Sequence, residues 1–203
     1  MKKVEGWFVP DNDDHFVAGL NDYQEASFQI ALSCLPSNRR RLAIDVGAHI
    51  GIFTVRMARM FARTVAFEPN ADNYECLVMN TLRFPHVRPI FGALGLQAGR
   101  CSSRIDAPAN SGARGVTLGG QIPMFKLDDV CDSLISGPDL LKIDTEGHEG
   151  QVMCGAVSTI ETHKPVLIVE RPPADIDEWL TRIGYAAVGL TSKDTIYSVY
   201  VEK

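Results

Sequence analysis

No segment of this 203-residue sequence approaches the roughly 18 consecutive apolar residues of a membrane helix. Residues 1–6 also lack the apolar core of a signal peptide. We therefore expect a soluble, cytoplasmic protein without a membrane partner. An excess of basic residues is missing as well, because the formal net charge is -5 at pH 7, so we expect no nucleic acid partner. The one basic run, Arg39 to Arg41, is interpreted as a solvated approach to the first strand.

The five cysteines are scattered and form no Cys-x-x-Cys pair. An odd, scattered set suits a reducing compartment better than a disulfide framework. Hydrophobic residues make up 45% and charged residues 22% of the chain, so it can bury one sizeable core. We divide it into an N-terminal extension or cap, residues 1–40, with one helix near 21–34, and a main domain, residues 41–203. The sequence does not indicate the oligomeric state.

Residues 42–51, Leu-Ala-Ile-Asp-Val-Gly-Ala-His-Ile-Gly, predict a buried strand that breaks at Gly47 and restarts as a helix. A second apolar run, 64–67, ends in Glu68. A tight glycine turn lets a ligand approach the backbone at a helix N-terminus, and an acidic residue on the next strand can hold ribose hydroxyls. The two motifs therefore predict a nucleoside-binding crevice. His49 stands where a Gly-x-Gly-x-x-Gly pattern has its second glycine, which narrows the room for a pyrophosphate.

From residue 41 onward, short apolar runs alternate with amphipathic stretches, which predicts an α/β fold with a mostly parallel sheet and helices on both faces. The runs 185–190 and 195–201 have too short a connection for a helix, so we expect an antiparallel hairpin at the C-terminus. Residues 92–120 show little periodicity and predict a loop or small hairpin near the crevice. The other predicted strands are 41–46, 64–68, 87–91, 139–144 and 165–170, and the predicted helices are 52–62, 72–83, 148–160 and 174–183.

The second unusual passage is 140–149, Leu-Leu-Lys-Ile-Asp-Thr-Glu-Gly-His-Glu, where polar residues gather at the end of an apolar strand. Ligands bind beyond the carboxyl ends of parallel strands, so Asp144, Glu146 and His148 are predicted to face the same crevice. Lys142 shares a strand face with Asp144 and needs a carboxylate partner. Two alternatives stay open: Glu146 and Glu149 cap the next helix, or Asp144, Glu146 and His148 form a hard or mixed metal site. We expect no resident metal.

Taken together, these motifs resemble the FkbM family of S-adenosylmethionine-dependent methyltransferases over about residues 40–170. The resemblance rests on the order of 43–51, Phe67-Glu68-Pro69, Leu127-Asp128-Asp129, 141–149 and Val169-Glu170. It implies a Rossmann-like class I methyltransferase fold with a seven-stranded sheet, and S-adenosyl-L-methionine as the cofactor. It also implies methyl transfer, most often to an oxygen, on a sugar, glycan or small metabolite.

Carried over by position, the resemblance assigns the methionine side of the cofactor to the turn at Gly47 and the ribose to Glu68. Gly92-Ala93-Leu94 falls where such enzymes hold the adenine, and Asp144 falls near the reacting centre. Thr145 departs from the family pattern, which usually has an aliphatic residue there. The residues predicted to bind the cofactor are Asp45, Gly47, Ala48, His49, Gly51, Glu68, Pro69, Ala93 and Asp144.

An alcohol acceptor has to lose a proton, which requires a general base within hydrogen-bonding distance. We expect His148 or Asp144 to be this base, with Glu146 as a positioning group or as an acceptor for a sugar hydroxyl. Two other functions remain open. The crevice also suits an NAD-dependent oxidoreductase, and a non-catalytic cofactor-binding subunit would need only the cofactor site.

Overall fold

A computed structural model of the chain describes residues 1–14, 20–105, 110–112, 114–133 and 137–200. The strands of this part of the chain are β1 Lys2–Val4, β2 Trp7–Val9, β3 Leu42–Val46, β4 Arg63–Glu68, β5 Val87–Phe91, β6 Ala93–Leu94, β7 Gly99–Ile105, β8 Arg114–Leu118, β9 Ile122–Phe125, β10 Leu140–Ile143, β11 Val166–Glu170, β12 Ala186–Leu190 and β13 Asp194–Ser198. The helices are α1 Glu25–Ser33, α2 Ile52–Met60, α3 Ala71–Thr81, α4 Leu127–Ser133, α5 Glu149–Cys154, α6 Val157–His163 and α7 Ala174–Arg182.

The central sheet has seven strands in the order β12-β13-β11-β10-β3-β4-β5. The pairs from β11 to β5 are parallel, whereas β13 pairs antiparallel with both β11 and β12. This arrangement confirms the predicted mostly parallel sheet and its C-terminal hairpin. Each predicted strand coincides with one of the seven, although β13 ends at Ser198 and residue 201 lies outside the described part.

The three central strands β3, β10 and β11 are buried along their whole length. Alternate residues point to opposite faces of a strand, and here both faces are covered. Ile44 and Leu141 belong to the core on one face, while Ala43 and Leu140 belong to the core on the other. Continuous apolar runs are therefore what this position in the sheet requires.

Most predicted helices are present, but the helix predicted at 148–160 is wrong. The chain forms α5 and α6 instead, with Gly155 at the end of α5. A β-carbon at Gly155 would lie 2.0 Å from the carbonyl oxygen of Gly95. The break therefore occurs where two backbone segments come into close contact, which a helical sequence pattern does not reveal.

The segment 92–120 contains more structure than predicted. β6, β9, β7 and β8 form a second, four-stranded sheet in that order, and β7 and β8 make an antiparallel hairpin within it. Its small core consists of Ala93, Cys101 and Met124, with Val116 and Ile122 packed against them. The expected hairpin is thus one part of a larger unit that runs to residue 125.

The N-terminal residues pack against the main sheet's helices. The guanidinium of Arg56, in α2, donates hydrogen bonds to the carbonyl oxygens of Asn21 and Tyr23. The Asn80 side chain, in α3, accepts from the Phe8 amide at 2.8 Å and donates to its carbonyl at 2.9 Å. The predicted helix at 21–34 is shorter than expected, because residues 20–22 form a single 3-10 turn before α1.

Two of the three arginines in the basic run bind a buried carboxylate. Arg39 and Arg41 both donate to Asp139, which precedes β10, with distances of 2.6 to 3.1 Å. Asp139 is fully buried. These arginines therefore tie the start of β3 to the start of β10.

The edge strands of the seven-stranded sheet are β12 and β5. β5 contains Pro89, and the register between β12 and β13 shifts between Ala187 and Gly189. In the part of the chain that the structure describes, no helix is both long enough and apolar enough to cross a membrane.

Candidate active site

A cavity lies at the carboxyl ends of β3, β4 and β10. It encloses about 810 Å³, including the space at its open mouth. The parallel strands end at this edge of the sheet, and the turns that follow them form the walls. Its lining includes most of the predicted site residues, namely Gly47, Ala48, His49, Glu68, Pro69, Ala93, Asp144, Glu146 and His148.

The turn after β3 has a backbone that only glycine suits. Gly47 has a φ of 75°, and a β-carbon there would lie 1.7 Å from the carbonyl oxygen of Asp144. Its amide and that of Ala48 donate to the carbonyl of Phe67 at 3.0 Å each. Gly51, with a φ of 93°, begins α2 and does not line the cavity.

Glu68, the last residue of β4, is held by two backbone amides. One carboxylate oxygen accepts from the His49 amide and the other from the Asn70 amide, both at 2.8 Å. The residue is only 4% exposed, and burial raises the pKa of Glu68 to about 7. Each oxygen keeps capacity for a further donor, so the group can bind hydroxyls in the cavity.

One wall of the cavity contains residues that were not predicted from the sequence. The side-chain amide of Asn73, in α3, donates to the carbonyl of Ser111 at 2.9 Å. The Ser111 hydroxyl lies 2.5 Å from Nε2 of His49 and donates to the Asp13 carboxylate. Asn73, Ser111 and Gly112 all line the cavity. Residues distant in sequence build this wall, and no local motif marks them.

A buried charge cluster forms the floor of the site. Nζ of Lys142 lies 3.1 Å from the carboxylate of Asp144 and 3.6 Å from that of Asp45. Burial acts to lower the pKa of Lys142, but these two carboxylates raise it above its ordinary value. Asp45 also accepts a hydrogen bond from Thr54 at 2.6 Å. Asp45, a predicted cofactor residue, does not line the cavity.

The loop after β10 is shaped by Glu149. Its carboxylate accepts hydrogen bonds from the amides of Thr145 and Gly147 at 2.8 and 3.1 Å. These amides belong to the loop before α5, so the contact holds the loop against the helix and is not a helix cap, although Glu149 does lie in the first turn of α5. Glu146 is in the left-handed region, with a φ of 51°, and burial raises its pKa.

His148 begins α5 and lines the cavity. Its Nε2 atom is buried and has no hydrogen-bond partner. Burial lowers the pKa of His148, which favours the neutral ring at pH 7. A neutral imidazole can accept a proton, as a general base must.

Glu170, the last residue of β11, lies beside Asp144. One carboxylate oxygen from each of Asp144, Glu146 and Glu170 lies within 4.8 Å of the other two. Burial, together with the Asp144 carboxyl, raises the pKa of Glu170, whereas Lys142 outweighs the burial of Asp144 and lowers its pKa. No role for Glu170 was predicted from the sequence. The signal was present, because Glu170 and Asp144 end two successive predicted strands.

The sequence is similar to those of known methyltransferases. Residues 45–187 match the sequence model of the Methyltransferase FkbM domain. A hexuronic acid methyltransferase, AglP, from Haloferax volcanii is 29% identical over 128 residues, which are 61% of this chain and 53% of that protein. The chain therefore spans about half the length of this curated relative.

Solved structures with the same fold include the methyltransferase FkbM of Methylobacillus flagellatus. It has 19% sequence identity and a TM-score of 0.52, covering 78% of this chain and 43% of the other. A 16S rRNA methyltransferase of T. thermophilus, in complex with S-adenosylmethionine and guanosine, has 13% identity and a TM-score of 0.50, covering 85% and 41%. At these identities the structural matches show a shared fold.

Proposed function

Because the chain belongs to the FkbM methyltransferase family, we propose that it transfers a methyl group from S-adenosylmethionine to a hydroxyl of a sugar, glycan or small metabolite. The observation that carries this proposal is the cavity between the Gly47 turn and Glu68. The family match favours this function over an NAD-dependent oxidoreductase.

The residues around the cavity fit the cofactor. The carbonyl of Asp144 occupies the space that a side chain at Gly47 would need, and Gly47 itself lines the cavity, so its backbone can contact a ligand. The buried carboxylate of Glu68 can accept hydrogen bonds from two ribose hydroxyls. Ala93 and Asn73 line the wall where the adenine would lie. Asp45 accepts a hydrogen bond from Thr54 in α2, and Gly51 directly precedes α2.

When bound, S-adenosylmethionine supplies an electrophilic methyl carbon, to which the acceptor oxygen bonds as the carbon–sulfur bond breaks and the electron pair stays on sulfur. The protein has to align the two reactants and exclude water. The walls of the cavity provide this alignment. Glu146, half-buried in the loop after β10, can accept a hydrogen bond from an acceptor hydroxyl.

The directions of the pKa shifts favour His148 over Asp144 as the base that takes the hydroxyl proton. Asp144 is paired with Lys142 at 3.1 Å, which stabilises its ionised form and makes it a weak base. His148 is neutral at pH 7, because burial lowers its pKa. We therefore assign proton acceptance to His148.

The relative AglP suggests which acceptors to test first. The protein should be incubated with S-adenosylmethionine and separate panels of hexuronic acids, neutral sugars, nucleosides and RNA, and the release of S-adenosylhomocysteine measured. We expect turnover with sugar acceptors and loss of at least about 100-fold in kcat for His148→Gln. The control is His163→Gln, at the end of α6 near the opposite edge of the sheet. Turnover of RNA alone would contradict the proposed acceptor class, and cofactor binding without any turnover would support the non-catalytic subunit.

A second prediction concerns Glu68 and the affinity for S-adenosylhomocysteine, measured by calorimetry. Hydrogen bonds to a charged group contribute about 1.5 to 3 kcal/mol, so we expect Glu68→Gln to bind roughly 10- to 100-fold more weakly. Since the pKa of Glu68 is raised to about 7, the wild type should bind more tightly as pH rises from 6 to 8 and the carboxylate ionises. This increase should be absent in Glu68→Gln.

The matched control is Asp72→Asn, which removes an exposed carboxylate from the first turn of α3. It should bind the product with wild-type affinity and show the wild-type pH dependence. If Asp72→Asn and Glu68→Gln weakened binding equally, a general charge effect would explain the result better than a ribose contact.

A further inference from the structure

Three carboxylates meet where β10 and β11 end. Asp144 directly follows β10, Glu146 lies two residues later, and Glu170 is the last residue of β11. β10 and β11 are adjacent and parallel, so their carboxyl ends lie at the same edge of the sheet. One oxygen from each of the three side chains lies within 4.8 Å of the others. The cluster is thus a consequence of the strand order.

This spacing fits a divalent cation bound by oxygen atoms. Around a six-coordinate Mg²⁺ at 2.0 to 2.1 Å, neighbouring ligand oxygens are about 3.0 Å apart and opposite ones about 4.2 Å. The three carboxylates therefore need little movement to share one ion. A donor set made only of oxygen favours Mg²⁺, Mn²⁺ or Ca²⁺ over softer metals.

A second observation also indicates a ligand, because Glu170 has an unsatisfied oxygen. The residue is 2% exposed, and its Oε1 atom receives no hydrogen bond. Its ion pair with Nζ of Lys193 is long, at 3.7 Å. Oε1 of Glu170 therefore has one cation at a long distance and no hydrogen-bond donor, and such incomplete compensation of a buried carboxylate is costly.

The carboxylates of the cluster also have few positively charged neighbours, and these are shared. Lys142 contacts Asp144, but it is shared with Asp45, whose Oδ1 atom is 3.6 Å away and accepts no hydrogen bond. Arg171 acts on Glu146 only from a distance. The carboxylates therefore outnumber the lysines that contact them, and a bound cation would correct this imbalance.

We propose that Asp144, Glu146 and Glu170 bind one divalent cation, Mg²⁺ or Mn²⁺. Asp144 and Glu146 also line the cavity, so the ion lies at its wall. Its role rests on the proposed function: it takes two neighbouring oxygens of the acceptor and lowers the pKa of the hydroxyl that is methylated. Acceptors with a hydroxyl next to a second hydroxyl or a carboxylate suit such an ion.

The test is a titration of the purified protein with Mn²⁺, with free Mn²⁺ followed by electron paramagnetic resonance. We expect one Mn²⁺ per chain, displaced by excess Mg²⁺, and at least tenfold weaker binding in Glu170→Gln. Glu161→Gln, an exposed carboxylate in α6, is the control and should bind as the wild type does. If Asp144 and Glu170 share a proton instead, the wild type takes up no Mn²⁺ at millimolar concentration and the proposal is overturned.

Glu146→Gln is the second variant, because it changes a half-buried loop residue rather than the core. Wild-type Mn²⁺ affinity in this variant would overturn the site, whereas weaker binding supports it. S-Adenosylhomocysteine binding is measured on the same samples. Mn²⁺ binding without cofactor binding would contradict the proposed function and leave the ion site standing. Cofactor binding without Mn²⁺ binding would contradict the ion site alone.

Discussion

Gly47→Ala is expected to lower the free energy of unfolding by roughly 3 kcal/mol or more and to abolish measurable cofactor binding. A β-carbon at this position would lie 1.7 Å from the carbonyl oxygen of Asp144, and backbone cannot yield as a flexible side chain does. The turn has to move away from β10, which displaces the amide of His49 that holds Glu68. Urea unfolding and product calorimetry measure the two effects.

Gly184→Ala separates steric conflict from backbone strain. Gly184 has a φ of 94°, yet a β-carbon there meets nothing within 4 Å. In this control the free energy of unfolding should fall only by the strain of a left-handed alanine, about 1 to 2 kcal/mol. The affinity for the cofactor should stay unchanged. Equal losses in the two variants would show that the contact with Asp144 does not matter.

Lys142→Met is expected to destabilise the protein by roughly 3 to 5 kcal/mol at pH 8, because it leaves buried carboxylates without a cation. Lys142 is 3% exposed and lies between Asp45 and Asp144. The unpaired carboxylates can take up protons in the folded protein, so the deficit should shrink as pH falls towards 5. Urea unfolding across this pH range measures the change.

Lys126→Met provides the comparison. Nζ of Lys126 lies 3.6 Å from Asp128, but its side chain is 35% exposed. Pairs that water reaches contribute at most about 1 kcal/mol, so this variant should stay close to the wild type. If the free energy of unfolding of Lys142→Met also fell by less than about 1 kcal/mol, the buried carboxylates would have rearranged or admitted water.

The strands of the central sheet could be predicted, most clearly β3 and β10, because burial on both faces demands continuous apolar runs. The second, four-stranded sheet could not be predicted from the sequence. β7, Gly-Arg-Cys-Ser-Ser-Arg-Ile, has no clean alternation, and its pairing with β9 brings together residues about twenty positions apart. The division between α5 and α6 depends on the contact of Gly155 with Gly95, which is tertiary.

The candidate site also has some residues that the sequence predicts and others that it does not. Gly47 and Glu68 stand in local motifs whose backbone needs are visible in the sequence, and both line the cavity. Asn73 and Ser111 lie on separate elements and meet only through the fold. Glu170 required knowledge that β10 and β11 are neighbours. The cofactor and catalytic roles assigned to these residues stay predictions until the variants are measured.

The interruptions at the two edges of the central sheet bear on how copies of this protein behave in crowded solution. An edge strand with a full row of free amides and carbonyls is a template for further strands, and so for aggregation. Pro89 removes one amide from β5, and the register shift at Gly189 bends β12. Both edges of the central sheet therefore discourage edge-to-edge pairing with the central sheet of another copy.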